Sequence, residues 1–306
     1  MKFNARGGIS ILELFLYFPS FFIAVYICYR HGFGRSSGWV FTLILCLIRI
    51  IGACCQLATY HSKSQGLFEA TIILDSVGIS PLLLATLGLL SRCIDSIKKT
   101  STFPLSAIHF RTIQLLITIG LILSIAGGSN SISSGDNFKV QSTSKVGIIL
   151  YILAYVALTL ISLLTGFKLS QAASGEKRLL LAVILALPFI LVRLVYSTLA
   201  ALTHFQEFNL LTGSVAIFAI MAVAMEFAVV LIYLVTGWTT NVVPASQRGP
   251  IMSRPWKGNS HGAIFHPGGR QGRRQGPIHG LVNAAVAAAQ QQIAQQSGEV
   301  GRSGMR

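Results

Sequence analysis

Seven apolar stretches fill most of this chain, and each is long enough to cross a lipid bilayer. A transmembrane α-helix needs about 20 mostly apolar residues. Because the bilayer core offers no water to backbone N–H and C=O groups, repeated apolar runs of this length are expected to be helices. We therefore predict an all-α membrane protein that folds as a seven-transmembrane-helix bundle. The predicted spans are residues 8–29, 38–60, 68–91, 108–127, 146–170, 179–203 and 211–237.

The composition supports the same class. Hydrophobic residues make up 53% of the chain and charged residues only 11%, whereas a typical soluble domain is about 25% charged. A soluble α/β protein with buried strands would show shorter apolar runs and more Asp and Glu between them. The sequence therefore favours the membrane bundle over that soluble alternative.

A change in composition near residue 241 divides the chain into two predicted regions. Residues 1–240 form the seven-helix transmembrane domain. Residues 241–306 are basic and rich in Gly, Pro and Gln, a composition that cannot build a core, so we predict a disordered tail. Within it, Arg270, Arg273 and Arg274 are either plain solvated charge or a contact for anionic lipid headgroups.

The 24 Lys and Arg residues are spread unevenly over the loops. Most lie in the first, third and fifth loops and in the tail, which share one side of a seven-span bundle. Because Lys and Arg in short loops mark the cytoplasmic side, we predict an outside or lumenal N-terminus and a cytoplasmic C-terminus. The net charge of +15 then reflects topology in the lipid bilayer, and no nucleic-acid partner is predicted.

Ionisable residues inside the spans are the best candidates for a site. A charge at the centre of a bilayer costs at least about 2.5–3.5 kcal/mol, so these side chains should face the bundle interior and pair, or line a wet cavity. Six ionisable residues and one amide form the candidate set: Glu13, Arg49, Gln56, Glu69, Asp75, Arg193 and Glu226.

Depth along the helices predicts which of these residues meet. Counted from the loop between spans two and three, Arg49 and Asp75 differ by about 6 Å in depth, within reach of a long Arg side chain. Arg193 and Glu226, counted from the loop between spans six and seven, differ by about 7–8 Å and form a second possible pair.

Glu13 and Glu69 lie closer to the predicted outer face, and Gln56 lies at an intermediate depth. Glu13, Glu69 and Gln56, together with Asp75, could give the outer half of the bundle an acidic polar pocket. Two interpretations stay open, namely ion pairs that fix helix register and a ligand, ion or proton site. Pro81 and Pro188, in spans three and six, predict packing kinks or the wall of a cavity.

Several chemistries leave no trace in the sequence. The seven histidines form no HExxH or HxxxH pair, and acidic pairs of the DDxxD type do not occur. We therefore predict no metal site and no cofactor, and assign no catalytic residue. Acid-initiated cyclisation is compatible with the sequence, because it can use one or two buried carboxyl groups.

Three stretches carry a family resemblance: RHGFGRSSGW at 30–39, LIRIIGACCQLAT at 47–59 and GISPLLLATLGLLSR at 78–92. They resemble a family of fungal seven-helix membrane proteins classed as a domain of unknown function, over about residues 8–240. That family is distantly similar to Pth11-type receptors and lipid-translocating exporter-like proteins. The resemblance implies a seven-helix bundle of fungal origin, and it brings no established catalytic residues.

These observations lead to one principal expectation of function and two alternatives. We expect a multi-pass membrane protein, receptor-like or transporter-like, that binds a small apolar or lipid-like ligand. The first alternative is an acid-catalysed, cyclase-type membrane enzyme of fungal secondary metabolism. The second is a membrane scaffold that recruits partners through its tail.

Overall fold

The computed structural model describes residues 5–32, 38–61, 65–100, 106–132, 142–167, 174–202 and 214–242. Over these ranges the secondary structure is helical, with no strand. The helices are α1 (Ala5–His31), α2 (Trp39–His61), α3 (Gln65–Val77), α4 (Ile79–Thr100), α5 (Ala107–Ile132), α6 (Ser142–Gly166), α7 (Ser174–Leu202), α8 (Val215–Phe218) and α9 (Met225–Thr239), with a π-helical segment, Ala219–Ala224, between the last two. The predicted basic cluster of the tail lies outside the described residues.

Seven segments in the described ranges are long and apolar enough to cross a membrane. They are Ala5–His31, Trp39–His61, Glu69–Lys98, Ala107–Gly127, Thr143–Gly166, Lys177–Leu202 and Val215–Thr239. The predicted all-α class and the number of spans are therefore confirmed, and the fold fits a multi-pass membrane protein. The side of the membrane that each terminus faces stays a prediction.

The third span is the central helix of the bundle. Its most apolar stretch is 78% buried, compared with 28–56% for the other six spans. The span is interrupted at Gly78, where α3 ends and α4 begins. Pro81 has no N–H to donate to the Val77 carbonyl four residues earlier, and the Ser80 hydroxyl donates to that carbonyl instead, at 3.1 Å. By contrast, α7 runs without interruption through Pro188.

The outer surface of the bundle is apolar. Large side chains such as Phe15, Leu181 and Val235 are 76%, 64% and 62% exposed. A monomeric soluble protein rarely exposes a continuous apolar surface of this kind. The surface therefore suits a hydrocarbon environment, in agreement with the seven spans.

Small residues allow close helix contacts away from the centre. A Cβ on Gly120 of α5 would lie 3.1 Å from the carbonyl oxygen of Gly147 on α6, and a Cβ on Gly147 would lie 2.7 Å from the Ser124 Oγ. Close approach through small residues is a common way to pack helices in membranes, where no hydrophobic effect drives them together.

Arg30, His31 and Arg92, which we call the clasp, bind main-chain carbonyls in and just after the last turn of α9. They lie at the end of the bundle where α1 finishes. One imidazole nitrogen of His31, Nε2, lies 2.9 Å from the Gly237 carbonyl oxygen, and the other, Nδ1, lies 3.4 Å from Arg92 Nη1. Arg92 Nη2 also donates to the Asn241 carbonyl at 2.6 Å. Arg30 Nη1 donates to the carbonyl of Trp238 at 2.6 Å. The Gly237 and Trp238 carbonyls lie in the last turn of α9, where the helix itself leaves carbonyl groups without donors.

Candidate functional site

Five ionisable side chains from five helices meet inside the bundle. We call them the charge cluster, and its members are Glu13 of α1, Arg49 of α2, Asp75 of α3, Arg193 of α7 and Glu226 of α9. The cluster therefore joins the first, second, third, sixth and seventh spans.

Arg49 and Glu226 form the core of the charge cluster. Arg49 Nε donates to Glu226 Oε1 at 2.6 Å, and Nη2 donates to Oε2 at 2.5 Å. Arg49 is 2% exposed and Glu226 is fully buried. A planar guanidinium matches a carboxylate in this two-bond geometry, and charge-assisted pairs of this kind are among the strongest hydrogen bonds in proteins.

The third nitrogen of Arg49 faces two further carboxylates. Nη1 donates to Asp75 Oδ1 at 3.0 Å, while Glu13 Oε1 lies 3.7 Å away, in range for charge attraction but too far for a hydrogen bond. One arginine thus attracts three carboxylates, and only two of them receive its N–H groups.

Arg193 supports the pair from the other side. Its Nε donates to Glu226 Oε2 at 3.3 Å, its Nη2 donates to the main-chain carbonyl of Asp75 at 2.9 Å, and its Nη1 donates to the Ser197 hydroxyl. Glu226 therefore bridges two guanidinium groups. Removing one member of a buried pair leaves an uncompensated charge, which typically costs about 3–5 kcal/mol.

The break in the third span provides the space for the cluster. A Cβ on Gly78 would lie 2.8 Å from Arg49 Nη2 and 3.0 Å from Glu226 Oε2. Real Cβ atoms do not approach other atoms below about 3 Å without a shift of the structure. The absence of a side chain at this position is therefore a condition for the Arg49–Glu226 geometry.

A small cavity adjoins the charge cluster at the end of the bundle where α1 begins. Its volume is about 30 Å³, more than the roughly 10–15 Å³ that a cavity needs to hold one water molecule. The lining residues are Arg6, Ile9, Ser10, Glu13, Gly52, Gln56, Thr71, Asp75 and Phe218. Arg6, Ile9 and Phe218 are half-buried, so the cavity reaches the outer surface of the bundle beside apolar side chains.

Glu13 is the member of the charge cluster that lines the cavity without a hydrogen-bond donor to its Oε1 within the described ranges. The residue is 5% exposed, and its Oε1 receives no hydrogen bond from any described residue. A buried polar atom without a partner carries a desolvation cost of about 1–3 kcal/mol, and more when the group is charged. Glu13 is thus a buried acceptor that the described part of the protein does not satisfy.

One family model matches the part of the chain that contains the charge cluster, the break in the third span and the cavity. That model, a domain of unknown function (DUF7702), matches residues 3–243. The chain belongs to the DUF7702 family. No curated protein matches the chain, and no solved structure does.

The DUF7702 match covers all seven spans and ends where the predicted tail begins. The family description is that of a domain of unknown function, so it supports the predicted family class and assigns no activity to any residue of the charge cluster. The fungal origin and the distant similarity to Pth11-type receptors and exporter-like proteins stay predictions.

In this DUF7702 chain, the structure brings together most of the residues singled out from the sequence. Arg49 lies against Asp75, and Arg193 against Glu226, but the two pairs belong to one cluster because Arg49 binds Glu226 most closely. Gln56 lines the cavity with Glu13. Glu69 is half-buried on α3 and is not among the cavity-lining residues.

Sequence reasoning missed the Arg49–Glu226 pair and the role of Gly78. Relative depth can be counted only between spans joined by a short loop, and spans two and seven are far apart along the chain. The helix-breaking run from Gly78 to Pro81, beside an arginine in the neighbouring span, was the available signal. Among the described residues, no group of three or more His, Cys, Asp and Glu side chains could hold a metal ion.

Proposed function

We propose that this protein is a receptor-like or transporter-like binder of a small amphipathic ligand, with the polar end of the ligand in the cavity beside the charge cluster. The observation that carries the proposal is Glu13, a buried carboxyl group whose Oε1 has no donor and which lines a cavity of about 30 Å³. Pairing that only fixed helix register would not require an unsatisfied acceptor at a cavity.

The surroundings of the cavity support a lipid-like ligand. Ile9 and Phe218 line it alongside the polar groups and are half-buried, so an apolar chain attached to a polar head can continue along the outer surface of the bundle. The cavity itself has room for a small polar group. A ligand with a small head and an apolar body fits both features.

Two helix irregularities near the cavity offer a way to transmit binding. The third span breaks at Gly78, and the last span contains the π-helical segment Ala219–Ala224, which ends two residues before Glu226. Short π-helical segments occur often at functional sites. A ligand that binds one arrangement of these segments better than another shifts the protein toward it, as receptor and transporter action both require.

Gly52 provides a direct test, because it lines the cavity without lying in a tight contact. A Cβ at Gly52 would lie 3.6 Å from Leu74 Cβ, which is ordinary van der Waals contact. In Gly52→Ala we expect the added methyl group to reduce the cavity and weaken ligand binding at least about tenfold, a loss of about 1.4 kcal/mol. Stability should not fall, since Ala is favoured over Gly within a helix.

The measurement is thermal unfolding of the purified full chain in neutral detergent, with and without a panel of lipids and small amphiphiles. Gly8→Ala is the matched control, because nothing lies within 4 Å of a Cβ at that position. The proposal predicts that a stabilising compound acts on the wild type and on Gly8→Ala but not on Gly52→Ala. It fails if no compound stabilises the wild type, or if Gly52→Ala responds as the wild type does.

A cyclase-type membrane enzyme is the second candidate, and the same buried Glu13 favours it. A carboxyl group shielded from water can serve as the general acid of such a reaction. Membranes that contain the protein would be incubated with epoxy-polyprenoid substrates and analysed for cyclic products. Product formed by the wild type and lost in Glu13→Gln would support the enzyme. Absence of any product from a broad panel would count against it.

A further inference from the structure

The hydroxyl groups of the cavity can act only as acceptors toward a ligand, because each already uses its proton. The Ser10 hydroxyl donates to the Arg6 carbonyl at 3.2 Å, and the Thr71 hydroxyl donates to the Leu67 carbonyl at 3.0 Å. Each oxygen then presents only lone pairs to the cavity. Glu13 Oε1 adds a third acceptor without a donor.

The guanidinium groups of the charge cluster do not supply the missing donor. Arg49 directs its N–H groups at Glu226 and Asp75, and Arg193 directs its own at Glu226, the Asp75 carbonyl and Ser197. The Asp75 side chain is 23% exposed, so its carboxylate is also open on one side. The buried part of the cavity therefore has an excess of acceptors.

Arg6 is the cationic side chain among the lining residues, and its position limits its effect. It is half-buried near the start of α1, whereas Glu13 is 5% exposed and lies two turns deeper in the same helix. Charges in contact with water are screened more strongly than buried ones. The Gln56 side chain, also half-buried, can offer either its carbonyl oxygen or its amide group.

We propose that the cavity binds the protonated primary amine of an amphiphile, an inference that rests on the proposed function. A primary ammonium group carries three donors and no acceptor, which matches acceptors on Glu13, Ser10 and Thr71. It is also small, which suits a cavity of about 30 Å³. A trimethylammonium group is larger and has no N–H donor, so it cannot donate to these acceptors.

A series of head groups on one short chain tests the inference. Thermal unfolding of the purified full chain in neutral detergent would be followed with hexylamine at neutral pH, hexanol and hexyltrimethylammonium at equal concentrations. We expect hexylamine to raise the unfolding temperature of the wild type, and the other two compounds to have little effect. Sodium, potassium and choline chloride at equal ionic strength form a second arm, in which no salt should stabilise selectively.

The variant Glu13→Gln removes the buried carboxylate, and Glu69→Gln is its matched control outside the cavity lining. We expect the apparent Kd for hexylamine to rise at least about tenfold in Glu13→Gln, as for loss of a hydrogen bond to a charged group, and to stay unchanged in Glu69→Gln. If Glu13→Gln does not fold, Thr71→Val decides, because it keeps the side-chain shape and removes one acceptor. An increase of about threefold or more supports the inference, and no increase overturns it.

The outcomes separate this inference from the proposed function. If hexanol stabilises as well as hexylamine, and Gly52→Ala abolishes both responses, the cavity binds an amphiphile but does not select an amine. If sodium or potassium alone stabilises the wild type and Glu13→Gln removes that effect, the occupant is a metal cation and the inference is overturned. If no compound and no salt acts on the wild type, both proposals fail.

Discussion

At the scale of single residues, the carboxylates of the charge cluster differ in burial and in the number of hydrogen bonds that they accept. Glu226 accepts hydrogen bonds from two arginines and is fully buried, whereas the Asp75 side chain accepts one from Arg49 and is 23% exposed. A buried charge that loses its partner cannot regain the lost interaction from water. Glu226 is therefore the carboxylate on which the stability of the cluster depends most.

Neutralising these two carboxylates should have different costs. We expect Glu226→Gln to lower the free energy of unfolding by about 3–5 kcal/mol, since it leaves two buried guanidinium groups underpaired. We expect Asp75→Asn to cost about 1–2 kcal/mol, because that side chain is partly exposed and accepts a single hydrogen bond from Arg49. Unfolding in mixed micelles with increasing SDS would measure both. Equal costs would mean that the bonds of Glu226 to Arg49 and Arg193 do not govern stability.

At the scale of helices, the third span shows which features a sequence can and cannot reveal. Pro81 and Pro188 were equivalent candidates for kinks, yet the third span breaks three residues before Pro81 while α7 continues through Pro188. The difference lies in Gly78, which must come close to Arg49 of the neighbouring helix. Proline placement was readable from the chain alone, but the need for a missing side chain depends on a contact between distant spans.

The variant Gly78→Ala tests this explanation of the break. A methyl group at position 78 would lie 2.8 Å from Arg49 Nη2, so the Arg49–Glu226 pair must move. We expect a loss of about 1–3 kcal/mol in the free energy of unfolding, as for an overpacked core. Gly8→Ala, which adds the same group in open space, should be neutral or slightly stabilising. Equal stability of the two variants would show that the backbone accommodates a side chain at Gly78.

At the scale of the whole molecule, the two ends of the bundle differ. The end where α1 begins contains the cavity, and at the other end His31 and Arg92 of the clasp bind the carbonyl of Gly237 in α9 and that of Asn241 just beyond it. The seven spans could be predicted because the bilayer imposes a minimum length on every helix. The cluster could be predicted only in part, because periodicity along one helix does not determine which distant helices are its neighbours.

The predicted orientation concerns the molecule as a whole and can be tested on intact cells. If Lys and Arg in the loops set the topology, a tag before Met1 should be reached by an impermeant antibody at the cell surface or in sealed lumen-out vesicles. A tag after Arg306 should be reached only after permeabilisation. A cytosolic protein measured in the same cells controls for leakage. The opposite pattern of labelling would reverse the proposed topology and place the cavity on the cytoplasmic side.

The π-helical segment Ala219–Ala224 has a geometric consequence for the last span. Phe218 lines the cavity and Glu226 belongs to the charge cluster, and the two are eight positions apart. In a regular α-helix, residues at that spacing point about 80° apart, whereas residues seven positions apart nearly coincide. The wider turn takes up one extra residue, so both side chains reach the same interior. The helical register of the last span therefore changes at the π-helical segment. Before it, the register directs Phe218 to the cavity, and after it, the register directs Glu226 to Arg49 and Arg193.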